Sequence, residues 1–130
     1  MQGETQLHQA LQEWRRLAEA EGEAIHTCNW ALVAECQHAL RELQPTINQF
    51  TQTARQEWAG LGLEQRSRQD ALRQTIGSLI QIESRNYARL TALRQTTQSR
   101  LEQLEAASRT LRQVHRSYAP GTPAAWSSFS

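Results

Sequence analysis

The sequence predicts an all-α protein, and three observations lead to this prediction. Hydrophobic residues make up 38% of the chain and aromatic residues 6%, which suits helices that each bury one stripe better than it suits a thick core. Gln is abundant and Leu, Ala, Glu and Arg are frequent, and all are good helix formers. From Leu63 to Ala119 there is no proline and only one glycine, so a long stretch of chain lacks the usual helix breakers.

The first helix is predicted to start at Thr5 or just before it. Its apolar residues recur at helical spacing, namely Leu7, Leu11, Trp14, Leu17, Ala18 and Ile25. The pattern stops at residues 26–29, and Asn29 is a residue type that caps the start of a following helix by accepting a backbone N–H bond. We therefore expect a tight turn here and an antiparallel return.

The second helix is predicted from Trp30 to near Trp58. Its apolar positions keep three- and four-residue steps through Val33, Cys36, Leu40, Leu43, Ile47, Phe50 and Ala54. Pro45 lies inside this run and removes a backbone donor, which predicts a kink near Gln44, whereas the unbroken register argues against a true break. The residues Gly60-Leu61-Gly62 should end the helix.

A long third helix is predicted from Glu64 to Ser117, which would measure about 80 Å. One face carries the apolar residues Leu72, Ile76, Leu79, Tyr87, Leu90, Leu93, Leu101, Leu104, Leu111, Val114 and Tyr118. This spacing predicts a coiled-coil seam. Glu83, Thr97 and Ser108 fall at or near seam positions and interrupt the stripe.

Together these elements predict an elongated antiparallel helical hairpin or three-helix coiled-coil bundle with a long C-terminal helix. We expect residues 1–118 to form one coiled-coil domain and residues 119–130, with Pro120, Gly121 and Pro123, to form an irregular tail. Because the first two helices are shorter than the third, one end of the third helix should be covered and the other should expose its apolar stripe.

Charge and hydropathy restrict the possible partners and location. The net charge is +1, with −4 on residues 1–63 and +5 on residues 64–130. The simplest interpretation is that the acidic half packs beside the basic half. A net charge so close to zero gives the chain no preference for nucleic acid. No segment is apolar enough to insert in a membrane. With no visible secretion signal, a cytoplasmic protein with reduced Cys28 and Cys36 is expected.

Metal and catalytic sites are not expected. His26, Cys28, Cys36 and His38 are residue types that bind zinc, but on a helix Cys36 and His38 point in different directions. No phosphate-binding glycine loop and no local nucleophile, histidine and acid arrangement is present. We therefore predict a non-enzymatic protein without cofactor or metal.

Two groups near the C-terminus allow more than one interpretation. Arg109, Arg112 and Arg116 lie on one helical face, where they oppose the negative end of the helix dipole, and phosphate binding is the less favoured alternative. Trp126 and Phe129 stand in a small, polar tail. They either fold back onto the helices or form a short docking motif.

This layout resembles flagellar export chaperones of the FlgN type and, more loosely, FliT. The resemblance covers most of the helical region, and residues 21–33, EGEAIHTCNWALV, look like the family's acidic segment and turn, where a small residue and an Asp or Asn open the second helix. The sequence departs from the family at Cys28, where glycine is usual. A lysine often found in the second helix is absent around His38 and Ala39.

The resemblance implies a cytosolic chaperone of type III secretion that binds an amphipathic terminal segment of a hook-associated protein and delivers it to an export gate. In such chaperones an apolar groove of the C-terminal helices holds the client, and a tyrosine near the end of the last helix helps gate docking, which Tyr118 matches. The candidate partner-binding residues are Leu104, Leu111, Val114, Tyr118, Trp126 and Phe129. The alternative is a structural coiled-coil protein that self-associates or acts as a scaffold.

Overall fold

The computed structural model describes residues 2–118, and within that range the chain forms three α-helices and no strand. Helix α1 spans Gln2–His26, α2 spans Trp30–Trp58 and α3 spans Leu63–Tyr118. The predicted all-α class and the long C-terminal helix are confirmed. The chain divides into two compact units, Met1–Leu90 and Thr91–Ser130, called here the bundle unit and the C-terminal unit.

The bundle unit is a three-helix arrangement around one apolar core. The core residues are Leu7, Leu11, Ala18, Ala54, Trp58, Leu72, Leu79 and Ile82, and Trp14, Ile47, Phe50 and Leu61 pack against them. All three helices contribute to it. The predicted inner faces of α1 and α2 are therefore confirmed, since the apolar positions named for them are buried or half-buried.

Polar contacts establish the directions of the helices within the bundle unit. The Glu57 carboxylate, near the end of α2, accepts hydrogen bonds from the backbone N–H groups of Gly3 at 2.8 Å and Glu4 at 3.2 Å, so α1 and α2 are antiparallel. From α1 to α3, Glu4 pairs with Arg68, and Arg15 donates to Ser78 at 3.0 Å. Because these partners advance together along the sequence, α1 and α3 are parallel.

The turn between α1 and α2 has the predicted cap. The Asn29 side chain accepts a hydrogen bond from the Leu32 backbone N–H at 3.3 Å, and the Asn29 N–H donates to the Ala24 carbonyl at 2.8 Å. Cys28 adopts a left-handed backbone conformation with φ of 57°. This conformation favours glycine, because a Cβ crowds the following carbonyl.

Three details of the predicted helices are resolved by the structure. The helix α2 continues through Pro45 without a break, as expected, and the left-handed Gly60 and Gly62 separate α2 from α3. The predicted start of α1 at or just before Thr5 is too late, because the helix begins at Gln2. Glu57 binds the free N–H groups of this first turn from another helix, so no local sequence signal marks the start.

The predicted seam of α3 is wrong at Tyr87, which is 70% exposed. The inner line of α3 runs instead through Leu79, Ile82 and Asn86, each of which is at least nine-tenths buried. Tyr87 is the next residue after Asn86 and therefore points about a quarter-turn away from the core. Of this line the predicted stripe included Leu79 but neither Ile82 nor Asn86, and Asn86 was left out because the pattern treats asparagine as a surface residue.

Asn86 is the centre of a buried polar cluster within the bundle unit. Its amide nitrogen donates to the Ala18 carbonyl at 2.8 Å and to the Glu21 carboxylate at 3.1 Å. Glu21 is 4% exposed, and the Glu83 carboxyl is near enough to feel its charge. Desolvation, followed by this charge, raises the pKa of Glu83. Among the described residues, Oε1 of Glu83 has no hydrogen-bond partner.

Candidate protein-binding face

Apolar residues in the C-terminal unit follow a seven-residue repeat along α3. Written as heptads, the first seam position, a, holds Thr97, Leu104, Leu111 and Tyr118, and the second seam position, d, holds Arg100, Ala107 and Val114. Leu101 lies beside this seam. We call Leu101, Leu104, Ala107, Leu111 and Val114 the C-terminal apolar face.

The large side chains of the C-terminal apolar face are exposed to solvent. Their exposed fractions are 51% for Leu101, 66% for Leu104, 69% for Leu111 and 48% for Val114. In the bundle unit, by contrast, the seam residues Leu72 and Leu79 are no more than 7% exposed. A row of large exposed apolar side chains at helical spacing is typical of a surface that binds a partner.

The edges of the C-terminal apolar face are largely uncharged. The flanking positions e and g from residue 103 to residue 117 hold Gln103, Ser108, Thr110, His115 and Ser117. The Thr110 hydroxyl donates to the Ala106 carbonyl of its own helix at 3.1 Å, so it needs no partner from elsewhere. Another helix can therefore pack against this seam without burying charged side chains at its edges.

From Glu102 onward the charges of this segment lie on its outer positions, and they are uneven along its length. Residues 91–118 contain five Arg and two Glu, for a net charge of +3. Glu102 and Glu105 precede Arg109, Arg112 and Arg116, and all five side chains are exposed. The last turns of α3 are therefore basic, which opposes the negative end of the helix dipole and favours an acidic neighbour.

The six predicted partner-binding residues differ in where they fall. Leu104, Leu111 and Val114 lie on the C-terminal apolar face at spacings of seven and three residues. Tyr118 is the last residue of α3, at the next first seam position. Trp126 and Phe129 lie outside the described residues, so their proposed docking or covering role stays a prediction.

Sequence reasoning did not assign two further residues to the C-terminal apolar face. Leu101 was recognised in the stripe but not as a candidate contact, and Ala107 was not recognised at all. Counting in sevens from Leu93 through Arg100 finds Ala107 at a seam position. In the bundle unit, Ile80 and Tyr87 are also exposed, at 58% and 70%, with the same seven-residue spacing.

The other sequence-level candidates do not form a common site. Cys36 is buried on the inner side of α2, whereas His38 is exposed and its Nε2 lies 3.0 Å from the Glu42 carboxylate. Across residues 2–118 no three His, Cys, Asp or Glu side chains lie close enough together to hold a metal ion. Over the same residues, none of the helices is long and apolar enough to cross a membrane.

Comparison of the chain with protein-family models, with curated proteins and with solved structures finds no match.

Proposed function

We propose that this protein is a non-enzymatic, cytosolic chaperone of the FlgN type, which binds an amphipathic terminal helix of a secreted hook-associated protein. The observation that carries the proposal is the exposure of Leu104, Leu111 and Val114 at seam positions of one helix. A client helix would place its own apolar residues, spaced by three and four, against this row.

Electrostatics support a client with acidic flanks. The C-terminal unit presents Arg109, Arg112 and Arg116 on the outer positions of the last turns of α3, where Glu102 and Glu105 are the nearest preceding acidic residues. Complementary charge raises the association rate and fixes the orientation of a partner more than it adds affinity. We therefore propose that acidic residues of the client lie beside the last three turns of α3.

Delivery to an export gate is the second part of the proposed function. It is supported by the layout resemblance and by the position of Tyr118 as the final residue of α3. Replacing Tyr118 by Ala is expected to weaken export of the client in cells while client binding by the purified protein changes less than with Leu111→Asp.

Client binding can be tested with fluorescently labelled peptides that carry the terminal helices of the hook-associated proteins from the same genome. Leu111→Asp should weaken binding at least about tenfold, because a carboxylate replaces a contact in the middle of the seam. Gln113→Asp is the matched control, since it introduces the same charge on an exposed position away from the seam. Equal affinity of both variants and the wild type would reject the proposal.

The alternative is a structural coiled-coil protein, which would use the same face for a second copy or a scaffold partner. The two functions differ in the response to the peptide. When the peptide is added, a chaperone that had paired with a second copy would release that copy and bind the peptide, so its oligomer mass would fall. A structural oligomer would keep its molecular mass.

A further inference from the structure

The C-terminal apolar face is complementary to itself when two copies run in opposite directions. We propose that, without a client, a second copy of this chain covers the face, with α3 segments antiparallel and Leu104 opposite Val114 of the second copy. In the same register Ala107 lies opposite Leu111. The pairing requires no client, whereas its role in controlling client access rests on the proposed function.

The seam residues select this register. In an antiparallel pair of helices each first seam position packs against a second seam position of the other helix, so Leu104 and Leu111 must face Ala107 or Val114. Of the registers spaced by one heptad, only this one matches the four apolar residues at the seam positions, Leu104, Ala107, Leu111 and Val114, with each other. A shift by one heptad in one direction places Leu111 against Arg100, and a shift in the other moves the partner of Leu104 beyond the end of α3.

Side-chain size gives a second reason for this register. Ala107 is the one small residue among the four, and it meets the large Leu111, so each such layer combines a small with a large side chain. A parallel pair would instead stack Ala107 on Ala107 and leave a void, which costs dispersion contacts. Alternating large and small residues is what fills a seam at native packing density.

Charge distribution distinguishes the antiparallel from the parallel pair. Residues 100–105 carry Arg100, Glu102 and Glu105, for a net charge of −1, whereas residues 109–116 carry three Arg, for +3. Antiparallel pairing places each acidic part at the same level along the helices as the basic part of the other copy. Parallel pairing aligns residues 109–116 of the two copies, which each carry +3, and it brings the two copies of Arg100 together at a seam position. Like charges placed there repel each other.

The antiparallel register also places Arg100 at a favourable position. In the antiparallel register this residue lies level with residue 118 of the second copy, where α3 ends. A helix C-terminus carries negative partial charge, so a guanidinium placed there is stabilised. The uncharged pairs at the edges, such as Ser108 with Ser108 and Thr110 with Thr110, add no repulsion.

The resulting dimer should be weak and reversible. Three large apolar side chains and one alanine from each copy give an interface at the small end of specific contacts, where association is transient. An amphipathic client helix with acidic flanks would compete for the same seam. Self-pairing would thereby protect the C-terminal apolar face until a client is present.

Disulfide trapping tests the register in the full chain. In a background with Cys28→Ser and Cys36→Ala, Leu104→Cys and Val114→Cys are prepared as separate proteins, with Gln113→Cys as the outward-facing control. Only residues whose Cα atoms approach within about 7 Å can form a disulfide. We expect mild oxidation to crosslink the mixture of Leu104→Cys and Val114→Cys, and to leave each protein alone, and each mixed with Gln113→Cys, at the background level.

Two outcomes would overturn the proposal. A disulfide formed by Leu104→Cys alone would indicate parallel pairing, and crosslinking of the mixture no greater than with Gln113→Cys would indicate that no such pair forms. Sedimentation equilibrium gives an independent measurement, in which Leu111→Asp should raise the dimer dissociation constant at least about 100-fold because it alters two layers. Unchanged helicity by circular dichroism would show that this variant remains folded.

The two proposals can fail separately. If the expected disulfide is absent but the labelled client peptide binds with the predicted sensitivity to Leu111→Asp, self-pairing is rejected and the chaperone proposal stands. If the disulfide forms and no client peptide binds, self-pairing stands and the chaperone proposal is rejected.

Discussion

The side-chain amide of Asn86 in α3 donates a hydrogen bond to the backbone carbonyl of Ala18 in α1, over a distance of 2.8 Å. Asn86 is 3% exposed and Ala18 is fully buried, so this bond is made inside the core. A second bond from the same amide reaches the Glu21 carboxylate. A single buried polar residue in a seam can specify which layers of two helices face each other.

Replacing Asn86 by Ala is expected to lower the free energy of unfolding by about 2–3 kcal/mol. The substitution removes two hydrogen bonds and leaves the buried Glu21 carboxylate without its donor. Urea unfolding followed by circular dichroism measures the change, with Gln81→Ala as a control on the exposed side of the same helix. A loss no larger than that of the control would show that the Asn86 amide contributes little to stability.

Gly22 makes room for Asn86. A Cβ built on Gly22 would lie 2.6 Å from the Asn86 Oδ1 atom, which is held in place by the two bonds of the same amide. We expect Gly22→Ala to destabilise wild type but to stabilise the Asn86→Ala background by about 1 kcal/mol, the usual gain in helix propensity. Gly77→Ala is the control, because a Cβ there meets nothing within 4 Å. Equal effects of Gly22→Ala in both backgrounds would contradict the coupling.

The sequence predicts the helices well because their signals are local. The three- and four-residue spacing, the Asn29 cap and the glycine pair at Gly60 and Gly62 each depend on neighbouring residues only. The inward placement of Asn86 depends on Gly22, which is far away in sequence, so periodicity alone assigned the inner position to Tyr87. The early start of α1 depends in the same way on Glu57 of another helix.

For the candidate site, the sequence predicts the apolar stripe and its exposure but not every residue of it. The long third helix and its leucines indicate an apolar stripe, and the lengths of α1 and α2 indicate that part of it is left exposed. Ala107 was missed because Arg100, one heptad earlier, interrupts the apolar pattern at this seam position. The occupant of the stripe cannot be read from the pattern, since a client helix and a second copy present the same spacing.

Glu57→Ala is expected to loosen the first turn of α1. Its carboxylate binds the N–H groups of Gly3 and Glu4 and also places negative charge at the positive end of the helix dipole. Loss of such a cap costs about 1–2 kcal/mol. Hydrogen exchange at the Gly3 and Glu4 amides should accelerate more than exchange in the middle of α1, and exposed Glu35→Ala should leave both unchanged.

Cys28→Gly is expected to stabilise the protein by about 1 kcal/mol, because glycine adopts the left-handed conformation of this position without the Cβ clash. Cys28→Ala retains a Cβ and should not give this gain. Thermal unfolding of the two variants measures the difference. A destabilised Cys28→Gly would mean that the thiol, which is exposed, has a contact of its own in solution.

Glu83 should make stability depend on pH. Burial and the nearby Glu21 raise the pKa of Glu83 above its ordinary value of 4.5, so the folded state binds this proton more tightly than the unfolded chain. The destabilisation by the ionised carboxyl is therefore fully present above the folded pKa and disappears as the pH falls below 4.5. Glu83→Gln should raise the melting temperature at neutral pH.

The charged group that acts on Glu83 is Glu21 from α1, which after burial also raises the pKa of Cys36 in α2. Melting curves of wild type and Glu83→Gln across the acidic range should converge as the pH falls. The exposed substitution Glu102→Gln is the control. A constant difference between the two proteins at every pH would contradict the assignment to Glu83.

The central claim is that the C-terminal apolar face is a binding surface, and thermal unfolding of Leu111→Asp beside Leu79→Asp tests it most directly. Leu79 is 5% exposed and Leu111 is 69% exposed. At protein concentrations low enough to prevent self-pairing, Leu79→Asp should lose several kcal/mol, since it buries an unpaired carboxylate, whereas Leu111→Asp should melt like wild type. If Leu111→Asp unfolds as readily as Leu79→Asp, the face belongs to the core, and the account is contradicted.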